Sequence, residues 1–211
     1  RSDGRLVLRN PLDGADGLAR ERGLAAVVVV LVGSTAFDGV TRTQWWQSGL
    51  GKQGDAVMGP PTLGLLVTVA IVAALYVAAT TAAGRIADTP DAPDAYAHSV
   101  IPIAAGYAIA HYFSLLLLDG QSTWILASDP FQRGWDLFGT IGNAVDYTAV
   151  GTRTISLVQV AAIVAGHIVG VVLAHDRAVK NATGVAARTS QYPLLAVMVT
   201  FTVTGLYLLL G

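Results

Sequence analysis

An all-α integral membrane helical bundle of about five spanning helices is the fold class that this sequence predicts, and three observations carry the prediction. Hydrophobic residues make up 53% of the 211-residue chain and charged residues only 13%, with a mean hydropathy of +0.56. That balance is too apolar and too weakly charged for an ordinary soluble domain. Five apolar stretches meet or approach the ~20 residues that a helix needs to cross ~30 Å of hydrocarbon. All four tryptophans fall in connections on one side of those stretches, where an interfacial aromatic belt would place them.

The stretches are residues 23–40, 61–84, 98–118, 155–175 and 192–210. The first is the shortest and carries Gly33, Ser34 and Asp38; the second and fourth are long and clean. Pro61 and Pro193 stand where a helix starts and a missing N–H costs nothing, whereas Pro102 lies one turn inside the third stretch and predicts a distortion there. The connection 119–153 is the longest. In it Ser128, Asp129 and Pro130 form a helix-start signal, and Phe131, Trp135, Leu137 and Phe138 supply an apolar stripe. This predicts a short interfacial or re-entrant helix, either an anchor or a lid.

Two segments follow. Residues 1–22 are polar and predict a cytoplasmic segment continuing from an unseen upstream part; residues 23–211 form the transmembrane domain. Lys and Arg concentrate on the N-terminal side, with Arg85, Arg177, Lys180 and Arg188 joining those of residues 1–22, which predicts that side to be cytoplasmic in a multi-pass protein of the cell membrane. The expected partners are the lipid bilayer and other membrane subunits, or an upstream membrane portion of the same protein.

Composition also excludes. The 13 Lys+Arg and 14 Asp+Glu form no long run of either sign, so a nucleic-acid surface is not expected. The absence of cysteine removes disulfides, thiolate metal sites, c-type haem attachment and thiol nucleophiles together. There is no glycine-rich phosphate loop, no HExxH, no GxSxG elbow and no internal repeat.

Ionisable residues inside a membrane are costly and mark candidate sites. The four histidines, His98, His111, His167 and His175, all lie on the third and fourth stretches. Counting from the stretch ends puts His111 and His167 each within about 5 Å of the midplane, with His98 and His175 together at the N-terminal end. His111 and His167, with Asp38 as the acid inside a span, are the leading candidates for a metal site, Asp38 doubling as the catalytic carboxylate; His98, His175 and Asp119 are further candidates. The ion could be zinc or copper, and haem b held between two histidines is the alternative cofactor. Tyr107, one helical step of four from His111, and Gln159 are expected as supporting groups. Equally, buried His and Gln can tie helices together, and the Gly166–Gly170 pair around His167 is a close-packing signal.

The stretches 31–40 (LVGSTAFDGV), 98–119 (HSVIPIAAGYAIAHYFSLLLLD), 128–140 (SDPFQRGWDLFGT), 165–178 (AGHIVGVVLAHDRA) and the last span together resemble a family of actinobacterial integral membrane proteins that carry the name fenitrothion hydrolase, after a two-subunit membrane-bound organophosphate-degrading enzyme. Asp38 and all four histidines fall within them. The resemblance implies longer relatives with more hydrophobic sequence upstream, and hydrolysis of a lipophilic, organophosphate-like ester.

Two functional expectations result. The first is a metal-dependent hydrolase in which His111, His167 and Asp38 hold an ion that lowers the pKa of a bound water toward ~7. The second is a non-catalytic or haem- or copper-binding subunit of a larger membrane redox complex. A transporter is a third reading, for which paired broken helices and repeat symmetry are lacking.

Overall fold

A computed structural model of the chain describes residues 21–49 and 59–210. Most of the polar segment 1–22 lies outside them. Every regular element among the described residues is a helix: α1 (Leu24–Arg42), α2 (Gln44–Ser48), α3 (Pro60–Ala87), α4 (Ala92–Ala127), α5 (Thr152–Asn181), α6 (Gly184–Thr189) and α7 (Gln191–Leu210). Five of these are long and apolar enough to cross a membrane: α1, α3, α4, α5, and α7 with the short α6 before it. Their outward faces carry large apolar side chains such as Leu66, Leu116, Ile168 and Val203, each exposed, as the bilayer requires of a bundle that uses it as solvent.

α1, α4 and α7 run from the N-terminal end of the bundle to the opposite end, and α3 and α5 return. Each helix stops where its sequence removes the helical alternative. α3 starts on Pro60 and Pro61, positions where no N–H is missed. It ends at Asp88, which takes a left-handed conformation (φ 48°), and Asp91 repeats that conformation (φ 49°) before α4 begins. The tight turn is closed by the Tyr76 hydroxyl, which donates to the Pro93 carbonyl at 2.6 Å.

The N-terminus of α1 has no cap of its own. Gly23 precedes it with φ 84°, and its free N–H groups are taken from across the bundle by Asp94 of α4, whose carboxylate accepts from Gly23 N at 3.2 Å and Ala25 N at 2.9 Å. Asp94→Ala is therefore expected to lower the thermal midpoint of the detergent-solubilised protein by the equivalent of about 1 kcal/mol, and an unchanged midpoint would mean the cap is replaced by water.

Packing is uneven along the bundle axis. Val28 of α1, Tyr76 of α3, Tyr96 and Val100 of α4, Ala174 of α5 and Leu194 of α7 interlock at the N-terminal end. Toward the opposite end α1, α3, α4 and α7 leave a cavity of about 850 Å³ between them.

Two boundary regions differ from the sequence expectation. α4 is 36 residues long, about 54 Å, and runs unbroken through Pro102. It thus projects past a hydrocarbon layer of ~30 Å. The long connection after it forms no helix; residues 128–151 are turns. Side chains there compete with the helix for backbone groups. The Asp129 carboxylate accepts from Arg133 N at 2.7 Å and Gly134 N at 2.6 Å; the Asp136 carboxylate accepts from the Ser128 hydroxyl and Ile141 N. Gln132, Gly134, Asp136 and Gly139 all take positive φ, which no helix tolerates in succession. The short helix on that side of the bundle is instead α2, carrying Trp45 and Trp46.

The connection is rigidified by charge. Donation from Ile141 N and the Ser128 hydroxyl holds the Asp136 carboxyl below the usual carboxylate range, and the Thr148 hydroxyl and N–H do the same for Asp146. Both groups are depressed in the folded state, so their contribution is complete above the unfolded value of ~4 and fades only as pH falls through the lower folded values. Fluorescence of Trp124, which stacks on Phe138 at 4.7 Å, is expected to stay constant from neutral pH down to about 5 and to change below about 4. A transition near pH 6 would contradict this.

Candidate functional site

The site is built where α1, α4 and α7 converge toward the end opposite the N-terminus. Asp38 stands one turn before the C-terminus of α1, four residues from Arg42, so the carboxylate and guanidinium share a face. His111 of α4 is buried, and its Nε2 lies 3.9 Å from Asp38 Oδ2, with the carboxylate about half exposed. This separation is ion-pair reach rather than a hydrogen bond. Of the candidates read from the sequence, the structure thus brings Asp38 and His111 side by side.

Tyr107 joins them. Its ring stacks on the His111 imidazole, centroids 6.0 Å apart and planes at 14°, while Tyr112 meets His111 edge-on at 4.9 Å. Two glycines make room for Tyr107: a Cβ on Gly39 would sit 2.9 Å from its hydroxyl, and one on Gly205 would sit 3.1 Å from its ring. The Tyr107 hydroxyl is buried and has no hydrogen-bond partner among the described residues. Such a group is costly unless something else satisfies it.

Tyr107 also lines the cavity. The void extends along α3 from Pro60 to Leu75, about 22 Å. At its outer rim Trp45 and Trp46 of α2 line it, with Trp46 edge-on to Phe37 at 5.2 Å and packed over Gly64. At its inner end it meets His167 of α5. The His167 Nδ1 donates to the Ile163 carbonyl at 2.8 Å, which fixes the tautomer and leaves Nε2 as an acceptor. That Nε2 is buried and without a partner among the described residues.

His111 and His167 do not share a depth. α4 and α5 touch along a seam of glycines: Gly106 meets Ala162 and Gly166, Gly166 meets Pro102, and Gly170 meets Ser99 and Ile103. Gln159 extends the same register by donating to the Ala110 carbonyl at 3.0 Å. His167 therefore lies level with Pro102, and His111 stands nine residues further along α4, an offset of about 13 Å. Counting from the centre of each apolar stretch misses this, because the glycine contacts and not the stretch ends set the register. At Gly106 and Gly166 the two backbones approach so closely that no macrocycle could lie between them.

The remaining candidates stand apart. His98 is buried toward the N-terminal end of α4; His175 is exposed, and its Nδ1 donates to the Gln191 side chain at 2.8 Å, tying α5 to α7. Asp119 is exposed on α4, two turns past His111. Among the described residues no group of three or more His, Asp or Glu is placed to hold a metal ion. Asp38 and His111 offer two ligands, a set smaller than the three protein ligands of a catalytic zinc centre.

Sequence reasoning named Tyr107 as a supporting group beside His111 but missed the cavity that Tyr107 lines. The usable signal was the isolated Gly205 in an otherwise bulky last span, opposite Gly39 and Gly64, which marks space for a ring and a void. Neither a family model, nor a curated protein, nor a solved structure matches the chain.

Proposed function

We propose that this chain is a membrane-embedded hydrolase of a lipophilic ester, with the apolar part of the substrate in the cavity and its ester group at Tyr107, His111 and Asp38. The observation that carries the reading is the Tyr107 hydroxyl. It is buried and has no hydrogen-bond partner among the described residues, and its residue lines an 850 Å³ apolar cavity beside a histidine–carboxylate pair.

In this reading His111 acts as general base through the ring nitrogen that Asp38 does not face. It takes a proton from water, and the water oxygen attacks the carbonyl carbon or phosphorus of the ester. The Asp38 carboxylate stabilises the imidazolium that forms. The Tyr107 O–H donates to the oxygen that gains negative charge, the role of an oxyanion-hole donor. Collapse breaks the bond to the leaving alkoxide, which receives the proton from His111. Orientation belongs to the proposal as well: the basic residues of the N-terminal end place it in the cytoplasm of a cell, with the site in the opposite half of the membrane.

The direct test is turnover of a chromogenic long-chain nitrophenyl ester by the full chain in lipid nanodiscs. Release of nitrophenol in proportion to wild-type protein is expected; no release above empty nanodiscs, with this ester and with the corresponding phosphotriester, would leave the histidines as helix ties of the kind His175 and Gln159 make. For orientation, a cysteine replacing Tyr147 is expected to react with an impermeant thiol reagent on intact cells, whereas one replacing Val185 is not. Both positions are well exposed, so the reverse pattern would invert the topology.

A further inference from the structure

His167 lies outside the hydrolytic trio and at the far end of the same cavity, and its chemistry restricts what the cavity can hold. Three facts bear on the ligand. Among the described residues that line the cavity none is charged. A carboxylate or phosphate buried there would lack a counter-charge, which an apolar site penalises heavily. The cavity is long and narrow, about 22 Å along α3 for a volume of about 850 Å³, a shape for an extended chain. Finally, Thr35, Thr68 and Thr200 on its wall each donate to a carbonyl of their own helix and Thr204 is exposed, so the lining residues whose buried polar atoms lack a partner among the described residues are Tyr107, already assigned to the ester group, and His167, through Nε2. Because Nδ1–H is committed to the Ile163 carbonyl, Nε2 can only accept.

We infer that the ligand is a neutral, single-chain lipophile bearing a hydroxyl, and that this hydroxyl donates to His167 Nε2 at the inner end of the cavity. The inference rests on the proposed function in taking the cavity as the substrate's seat, and it names the substrate class: a long-chain ester with a free hydroxyl, rather than a charged lipid or a fully capped triester. A hydroxyl is required over an ether or a second ester because those groups only accept, and two acceptors facing each other would leave both unsatisfied.

The test compares 1-tetradecanol with its methyl ether, which keeps the chain and removes the donor. Binding to the full chain in nanodiscs is followed by tryptophan fluorescence in a background with Trp124→Phe and Trp135→Phe, so that Trp45 and Trp46 at the rim report. The alcohol is expected to bind roughly tenfold more tightly than the ether. His167→Phe is expected to abolish that difference by weakening the alcohol alone, while His167→Gln, which keeps an acceptor, retains part of it. Equal binding of the two probes, binding of neither, or a preference untouched in His167→Phe would overturn the inference. The wild-type comparison decides even if a variant fails to fold. Since neither probe is an ester, the outcome is independent of turnover. Alcohol preference without ester hydrolysis would sink the hydrolase reading alone; hydrolysis without alcohol preference would sink the ligand class alone.

Discussion

Gly166→Leu is expected to prevent the native bundle from forming, and even Gly166→Ala is expected to lower stability by about 1–3 kcal/mol. The reason is local. In lipid, helices gain little from hydrophobic burial against one another and are held by close backbone packing. The seam between α4 and α5 depends on glycine at 106, 166 and 170. A Cβ on Gly166 would stand 2.5 Å from the Pro102 carbonyl oxygen and 3.2 Å from the Gly106 Cα. Both neighbours are backbone, so neither can rotate away as a side chain would. The control is Gly120, also within α4, where a Cβ would meet only the Leu116 side chain at 3.8 Å. Gly120→Ala is expected to stabilise, by up to about 1 kcal/mol, since glycine inside a helix is otherwise a cost. Thermal midpoints in detergent check both signs. If Gly166→Ala and Gly120→Ala behave alike, the seam is not what holds α4 to α5.

The second large effect falls on turnover. His111→Ala is expected to lower kcat by roughly 100- to 10,000-fold, the range of a lost general base. Asp38→Asn is expected to cost less, because at 3.9 Å the carboxylate assists the ring without bonding it. Tyr107→Phe removes a single donor to the developing oxyanion and is expected to cost roughly 100-fold in kcat with little change in KM. His98→Gln and His175→Gln are the contrasts: both residues sit toward the N-terminal end, away from the trio, and turnover is expected to be unaffected. Equal losses at His98, His111 and His175 would point to general destabilisation instead of catalysis.

How much of this was legible in the sequence depends on what physics set each feature. The five spans were legible because run length and hydropathy determine them. Their ends were not: α4 continues through Asp94 at one end and Gln121 and Thr123 at the other, where helix formation no longer follows hydropathy. The turns of 128–151 were misread as a helix because a capping signal and an aromatic stripe are local, whereas Ser128, Asp129 and Asp136 satisfy backbone groups up to twelve residues away. Asp38 and His111 were legible as candidates because ionisable residues inside spans are few, but their 3.9 Å approach was not, since span counting put His111 at the midplane and Asp38 near a helix end. Nor was the offset between His111 and His167 legible, since the glycine seam sets a register that span centres do not show. The cavity left no direct trace, because its walls are made of the same apolar residues that elsewhere fill a core.

A substrate seat inside the bundle is tested by photo-crosslinking a long-chain ester that carries a diazirine near its chain end, in nanodiscs, with the labelled positions read by mass spectrometry. Label is expected to concentrate on cavity-lining residues such as Leu63, Ile71 and Thr204 and to be competed away by the unlabelled ester. Label spread evenly over lipid-facing residues such as Leu116, Leu195 and Val203, and insensitive to competitor, would mean that the bundle holds no substrate within it.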